Sequence, residues 1–377
     1  MASRGAGGRV LAALLALSSV LVLALQGAAA KPLVPAMFVF GDSLVDVGNN
    51  NHLANCNANC RANYRRYGVD LPCHSPTGRF SNGYNLADQL AQQLGFPESP
   101  PPFLSLPPEA SQSHVSLDTG INFASGGAGL LERTGRSVCG EVVTMAAQVR
   151  NFTSLARAWM RENRTAADLI ARSLFFISVG SNDLFEYSDA PPAPNNRNDT
   201  QFLQDLVASY AGYVKELYGV GAKKFSVVSP SLVGCCPSQR KIAHDDPKDV
   251  DKYGCLGTAN NLSRQLQPMV ASMLHDLSLE LPGMNYSLGD AVGMAEWVFK
   301  SPSTPAYNFT ELVTACCGKG EFGADGCDST ALLCQNRSNY VFWDRYHPTE
   351  AASAVTANQL FVDTGFFVHP INVQQLA

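Results

Sequence analysis

The chain has 377 residues, 46% of them hydrophobic and 16% charged, and a formal net charge of -5. That composition is ordinary for a globular protein, and the acidic balance argues against nucleic acid as a partner. No Ser/Gly linker or repeat divides the chain, so the expectation is one α/β domain with generous loops over residues 31–377.

Residues 1–30 read as a secretory signal peptide. Arg4 and Arg9 precede an apolar run from Val10 to about Leu25, and Ala28-Ala29-Ala30 supplies the small-x-small pattern of a signal-peptidase site. A membrane anchor is the rival reading. The run is short for a span and no comparable one follows, so no transmembrane segment is expected in the mature chain. Loss of the two arginines takes the net charge from -5 to -7. Eleven cysteines suit disulfides in an oxidising compartment, and their odd number leaves at least one thiol unpaired or engaged with another molecule. Metal binding is the competing reading for Cys56/Cys60 and for the adjacent pairs Cys235-Cys236 and Cys316-Cys317, but none has the C-x-x-C spacing of a zinc site. Seven Asn-x-Ser/Thr sequons, at Asn151, Asn163, Asn198, Asn261, Asn285, Asn308 and Asn336, suit a glycosylated, extracellular or cell-wall protein, with several in use.

The apolar run Ala36 to Phe40 predicts a first strand, which stops at Gly41-Asp42-Ser43-Leu44. Leu86, Leu90 and Leu94 then repeat at helical spacing. A proline-rich stretch over 97–108 reads as a surface loop, as does a second over 191–194. Ile121 to Ala124 predicts the second strand, followed by Ser125-Gly126-Gly127-Ala128-Gly129, which has neither the phosphate-loop nor the dinucleotide pattern. Leu174 to Val179 predicts the third strand and runs into Gly180-Ser181-Asn182-Asp183. Helical stripes cover Phe202 to Leu217 and Leu262 to Leu277, and further strands are expected at Lys224 to Val228 and Tyr340 to Trp343. Near-continuous apolar strands alternating with amphipathic helices imply βα units and a parallel sheet covered on both faces.

Chemistry collects at the ends of these strands. Asp344 stands three residues ahead of His347 on a turn closed by Pro348, a spacing that sets a carboxylate against one imidazole nitrogen while the other points outward. Ser43, after the first strand, is the candidate nucleophile. The glycine loop after the second strand offers a backbone amide, and Asn182 after the third offers a side-chain amide. Nucleophile, base, orienter and oxyanion donors are the parts that acyl transfer requires.

Taken together, these blocks identify the chain as resembling the plant GDSL esterase/lipase family of the SGNH hydrolase superfamily. Pro35 to Ser43 and on to Asn51 is similar to the family's first block, Ile121 to Gly129 to the second, Gly180 to Asp183 to the third, and Asp344 to Pro348 to the last. Thr77 to Gly83, Gly221 to Phe225 and Ala315 to Gly318 add to the likeness, which covers essentially the whole mature chain. The resemblance implies a flavodoxin-like three-layer αβα sandwich, with no metal and no cofactor. It implies Ser43 as nucleophile, His347 as general base and Asp344 as its orienter. The oxyanion hole would comprise the Ser43 amide, Asn182 and a glycine of the second block, with Gly126 favoured and Gly127 the alternative. Asp42 and Asp46 are read as structural.

The expected activity is secreted serine ester hydrolysis, with lipids, cutin-like polyesters and acetylated wall polysaccharides as possible substrates. An acyltransferase using the same acyl-enzyme is the alternative, and a non-catalytic binding protein on the same fold is a third. Polar sequence at Asn49 to Asn51 and Arg61 to Arg66 argues for water over an alcohol as the acyl acceptor.

Overall fold

Six strands form the central sheet of the computed structural model, which describes residues 31–107, 119–189, 198–301, 303–304 and 307–377. The expected leader over 1–30, Pro108 and the proline stretch over 191–194 lie outside the described residues. The strands are β1 (Met37–Gly41), β2 (Gly120–Asn122), β3 (Leu174–Ser178), β4 (Lys224–Val228), β5 (Asn285–Gly289) and β6 (Val368–Pro370). Their spatial order is β6-β5-β4-β3-β1-β2, all parallel except β6, which pairs antiparallel with β5 at the edge. The order 2-1-3-4-5 within the parallel part is the flavodoxin-like arrangement, whose topological switch point lies between β1 and β3.

Alternation along the strands builds the two outer layers. Phe38 and Phe40 of β1, with Phe175 and Ile177 of β3, pack one face against helices Met145–Glu162, Asp199–Gly219 and Gly257–Glu280. Met37 and Val39, with Leu174 and Phe176, pack the other face against helix Leu86–Gln93, helix Glu350–Val362 and the C-terminal Val373–Leu376. The sandwich therefore has helices on both sides of the sheet, as βα alternation requires.

One strand expectation fails. Tyr340 to Trp343 is no sheet strand; the fifth parallel position belongs to Asn285–Gly289. The apolar signal at Phe342 and Trp343 has a different cause. Their carbonyls accept the amides of Cys316 and Cys317 at 3.0 and 2.7 Å, and Trp343 is fully buried in a separate small core with Cys316, Cys317 and Cys327. Disulfides Cys316–Cys334 and Cys317–Cys327 lock that core. Two more, Cys60–Cys139 and Cys235–Cys255, tie loops at the carboxyl edge of the sheet, leaving Cys56, Cys73 and Cys236 as free thiols.

The double bridge holds the residues immediately before Asp344. Replacing Cys317 and Cys327 together by Ala should lower the melting temperature and also reduce kcat, because the segment that presents Asp344 and His347 loses its clamp. Thermal unfolding and ester turnover measured side by side check this; a variant with lowered Tm and wild-type kcat would show that the clamp serves stability alone.

Candidate active site

The nucleophile candidate sits on a tight turn beyond β1. Gly41 ends the strand with φ 149°, and a Cβ there would lie 2.0 Å from the Ser178 carbonyl, so only glycine lets β1 and β3 meet this closely at the switch point. Gln148 holds both backbone groups of Gly41, accepting its amide at 2.9 Å and donating to its carbonyl at 2.8 Å. The Asp42 amide donates to Ser178 O, its carbonyl accepts the Val45 and Asp46 amides, and its carboxylate accepts the Leu44 amide at 3.0 Å. Ser43 is left at the apex, pointing over the sheet edge.

The Asp344–His347 loop arrives from the other end of the chain. Asp344 Oδ1 accepts the amides of Tyr346 and His347 at 2.8 and 2.9 Å, closing a one-turn loop, and the Trp343 amide donates to the His347 carbonyl at 2.8 Å. The ring of His347 is fixed by Asp344 at Nδ1, 2.8 Å from both carboxylate oxygens, and by the Phe80 ring at 4.9 Å. Its Nε2 lies 2.8 Å from Ser43 Oγ. The three residues singled out in the sequence thus form one hydrogen-bonded chain across 304 positions of separation.

A fourth member has no sequence signature. The Tyr67 hydroxyl donates to Asp344 Oδ2 at 2.7 Å from a buried position. It lies in the extended segment Arg65–Gly68, where Arg66 adopts φ 111°, a conformation arginine rarely takes, and donates to Ser329 O at 3.1 Å. Burial, together with the Asp344 charge, pushes the Tyr67 hydroxyl well above its ordinary pKa, so it remains a donor. Burial alone would raise Asp344, but the His347 charge, its ring N–H, the Tyr346 amide and Tyr67 outweigh it and hold the carboxyl below its ordinary value.

The donors facing Ser43 differ from expectation in one respect. The Gly126 amide is already given to Asp46 Oδ2 at 2.9 Å. Gly127, at φ 87° and against the Cys139 sulfur, borders the cavity over Ser43. Among the described residues, the Ser43 and Gly127 amides have no partner within the chain. Gly127 therefore replaces Gly126 as the available glycine donor. Asn182, in the first turn of helix Ser181–Asp189, spends one amide proton on Ala128 O at 2.9 Å and keeps the other toward the cavity.

Buried carboxylates lock these loops together. Asp46 also accepts the Gly48 and Asn49 amides, both at 2.7 Å, and Asn49 and Asn50 donate into the second block, to Asn122 O, Ala124 O and Gly126 O. Asn49 and Asn50 thus point inward as latches and say nothing of the acyl acceptor. Asp183 accepts Leu130 N, Leu131 N and the Thr134 hydroxyl within 3.0 Å. Burial raises all three acids, but three donors each leave Asp46 and Asp183 at about 6, whereas Asp42, with one donor and a buried Oδ2 lacking any partner, goes to about 7.

A cavity of about 510 Å³ opens over Ser43, Asn182 and His347, a size typical of small-molecule sites. Comparison with known proteins agrees with the geometry. A family model described as GDSL-like lipase/acylhydrolase matches residues 37–360. The chain belongs to the GDSL lipase/acylhydrolase family. Similar proteins include three of Arabidopsis thaliana. GDSL esterase/lipase At5g55050 is 36% identical over 91% of this chain and 90% of its own length. At4g16230 is 34% identical over 91% of each, and At1g71691 is 35% identical over 92% of this chain and 86% of its own.

Two outcomes follow for this GDSL protein. Tyr67→Phe removes a hydrogen bond to a buried charge, so kcat should fall about tenfold or more. The acid limb of kcat/KM should move to higher pH, because a less stabilised Asp344 carboxylate favours imidazolium; an unmoved limb would mean that Tyr67 only packs. Asp42 gives a stability signature. Its pKa in the folded chain, raised from 3.8 to about 7, means the fold keeps a proton that the unfolded chain releases. That stabilisation is full below the unfolded value and is lost as pH rises through about 7. Wild-type Tm should therefore fall as pH rises from about 4 to about 7, with Asp46 and Asp183, at about 6, adding to the lower part of that decline, and Asp42→Asn should reduce it by the share that Asp42 contributes.

Proposed function

We propose that the protein is a secreted serine hydrolase of carboxylic esters that works through an acyl-enzyme on Ser43. The observation that carries this reading is the unbroken chain Ser43–His347–Asp344, set at the sheet switch point beside two unpartnered amides and the Asn182 side chain. Ser43 Oγ attacks the carbonyl carbon while His347 Nε2 takes its proton. The negative oxygen that forms is held by the Ser43 and Gly127 amides and Asn182 Nδ2. Collapse of the tetrahedral species breaks the ester bond, and His347 returns the proton to the departing alcohol. Water then repeats the sequence, leaving its proton on His347 and then on Ser43 as the free acid departs. Asp344 stays ionised throughout and holds the imidazole in the tautomer that presents Nε2 as acceptor.

Four disulfides among the described residues support an oxidising compartment, and no helix of the described residues is long and apolar enough to cross a membrane. Five of the seven sequon asparagines, Asn198, Asn261, Asn285, Asn308 and Asn336, are exposed, while Asn151 and Asn163 are half-buried. These support glycosylation at several sites, and the leader pattern of residues 1–30 supports release with an N-terminus near Lys31.

Ser43→Ala should fold normally and lose turnover by orders of magnitude, and an organophosphate probe should label Ser43 alone. Substantial turnover in the folded variant would overturn the assignment. With an ester donor and added glycerol, free acid should exceed acylated glycerol; the opposite product ratio would make the protein an acyltransferase.

A further inference from the structure

The two faces of helix Met145–Glu162 carry opposite chemistry. Val149, Phe152, Ala156 and Trp159 pack into the core. The exposed positions are Arg150, Ser154, Arg157, Arg161 and Glu162, so no apolar side chain of this helix is exposed. At about 100° per residue, Arg150, Arg157 and Arg161 fall within about 40° of one another and span about 16 Å of the axis. Arg164, also exposed, follows directly on the C-cap Asn163. Among the described residues none of these four arginines makes an ion pair, whereas Arg136 and Arg172 pair with Glu132 and Asp168. The helix dipole accounts for Arg161 in the last turn but not for Arg150 or Arg157. Arg157 and Arg161, four residues apart, repel each other, and Glu162 is the one acid of this helix that offsets them. On a chain of net charge -5, the row is a local excess of positive charge that the fold itself does not use.

We infer that this arginine row is a docking surface for an acidic polysaccharide, a linear chain bearing carboxylates on its sugars, and that it holds the protein on an anionic matrix. A guanidinium takes a carboxylate bidentately, and all four cations are arginine rather than lysine. The charges stand one to two helical turns apart, which suits a polymer with one carboxylate per sugar. Double-stranded nucleic acid, with a charge about every 1.7 Å of its axis, would carry most of its phosphates past the row onto an acidic surface. Helices that lie on anionic membranes expose aromatic or aliphatic side chains beside the basic ones, and here those side chains are buried. The row also starts at the catalytic end of the domain. Two residues before Arg150, Gln148 holds both backbone groups of Gly41, and the Val143 amide donates to Ser125 Oγ in the second block. A chain bound along the helix therefore approaches the rim of the cavity over Ser43. The inference concerns binding alone and stands apart from the ester hydrolase reading.

The test is binding of the secreted protein to polygalacturonate coupled to agarose, with dextran-agarose as the neutral control and flotation with phosphatidylglycerol vesicles in parallel. The protein should be retained on polygalacturonate and not on dextran, and affinity should fall at least about tenfold between 50 and 200 mM salt, as counterion release at about four contacts requires. Arg157→Gln with Arg161→Gln should weaken binding at least about tenfold and leave kcat/KM for p-nitrophenyl butyrate unchanged, because neither residue belongs to the site. Arg150→Gln with Arg164→Gln is an independent pair should the first fail to fold. Lys248→Gln with Lys252→Gln removes the same charge from another exposed segment and should leave binding within about twofold of wild type. No retention of folded wild-type protein on polygalacturonate at low salt overturns the inference. So does equal weakening by the lysine pair, which would make the effect one of net charge, and so does flotation with vesicles without retention on the polymer, which would make the row a membrane contact. Retention without turnover of any ester supports the inference and removes the hydrolase reading.

Discussion

A carboxylate taken out of water must be met by donors on nearly every lone pair, and the Asp344 side chain meets that demand at the centre of the site. Four groups converge on it: the Tyr346 and His347 amides, the His347 ring and the Tyr67 hydroxyl. Leaving even a neutral buried group without its bond costs about 1–3 kcal/mol, and a charge costs more. The local amides set the shape of the loop, the ring bond sets the direction of Nε2, and Tyr67 brings in a segment 277 residues away. Orientation of the His347 ring is thus a consequence of satisfying one buried charge. The two disulfides behind Phe342 and Trp343 keep that loop from relaxing toward water, where the charge would find easier partners.

The Ser43 side relies on the sheet. At the switch point β2 and β3 leave β1 on opposite sides, so the loops after them diverge and open a crevice above Gly41. Loops in a crevice tend to move, and here buried acids prevent it. Asp46 joins the first block to the second, and Asp183 joins the second to the third. The amide that Gly126 gives to Asp46 is what turns the next amide, that of Gly127, outward. One bond closes the loop and its neighbour remains open for a ligand.

Much of this was legible in the sequence, and the failures have physical causes. Strands β1, β3 and β4 are continuous apolar runs because helices cover both faces, and each was located within a residue or so. β5 reads Asn-Tyr-Ser-Leu-Gly, and its buried Ser287 hides a central strand from any hydrophobic pattern. Edge strand β6 is three residues long and carries a proline, so it has no pattern to find. Tyr340 to Trp343 mimicked a strand because the apolar side chains there serve a disulfide-bound core instead of the sheet. Asp344 and His347 were legible from their fixed local spacing, and Ser43 from its place at the end of an apolar strand. Tyr67 was not, since a tyrosine in Arg-Arg-Tyr-Gly acquires meaning only through a contact made in space. Gly126 and Gly127 could be separated only by counting donors.

The cavity also divides along the line that separates these two kinds of residue. On the side of β1, β2 and β3 nearly every polar group is committed within the chain, and the reacting atoms inherit their geometry from those commitments. On the side of helices Ala291–Lys300 and Glu350–Val362 the lining is mostly apolar; side chains such as Val355, Val298 and Met294 repack at small cost compared with a lost buried hydrogen bond. Substitutions on the first side disturb chemistry, whereas those on the second alter what fits. A fold arranged in this way keeps its reaction fixed while the apolar wall changes, because the two rest on interactions of different kinds: directional bonds that fail when one partner is lost, and area burial that degrades gradually.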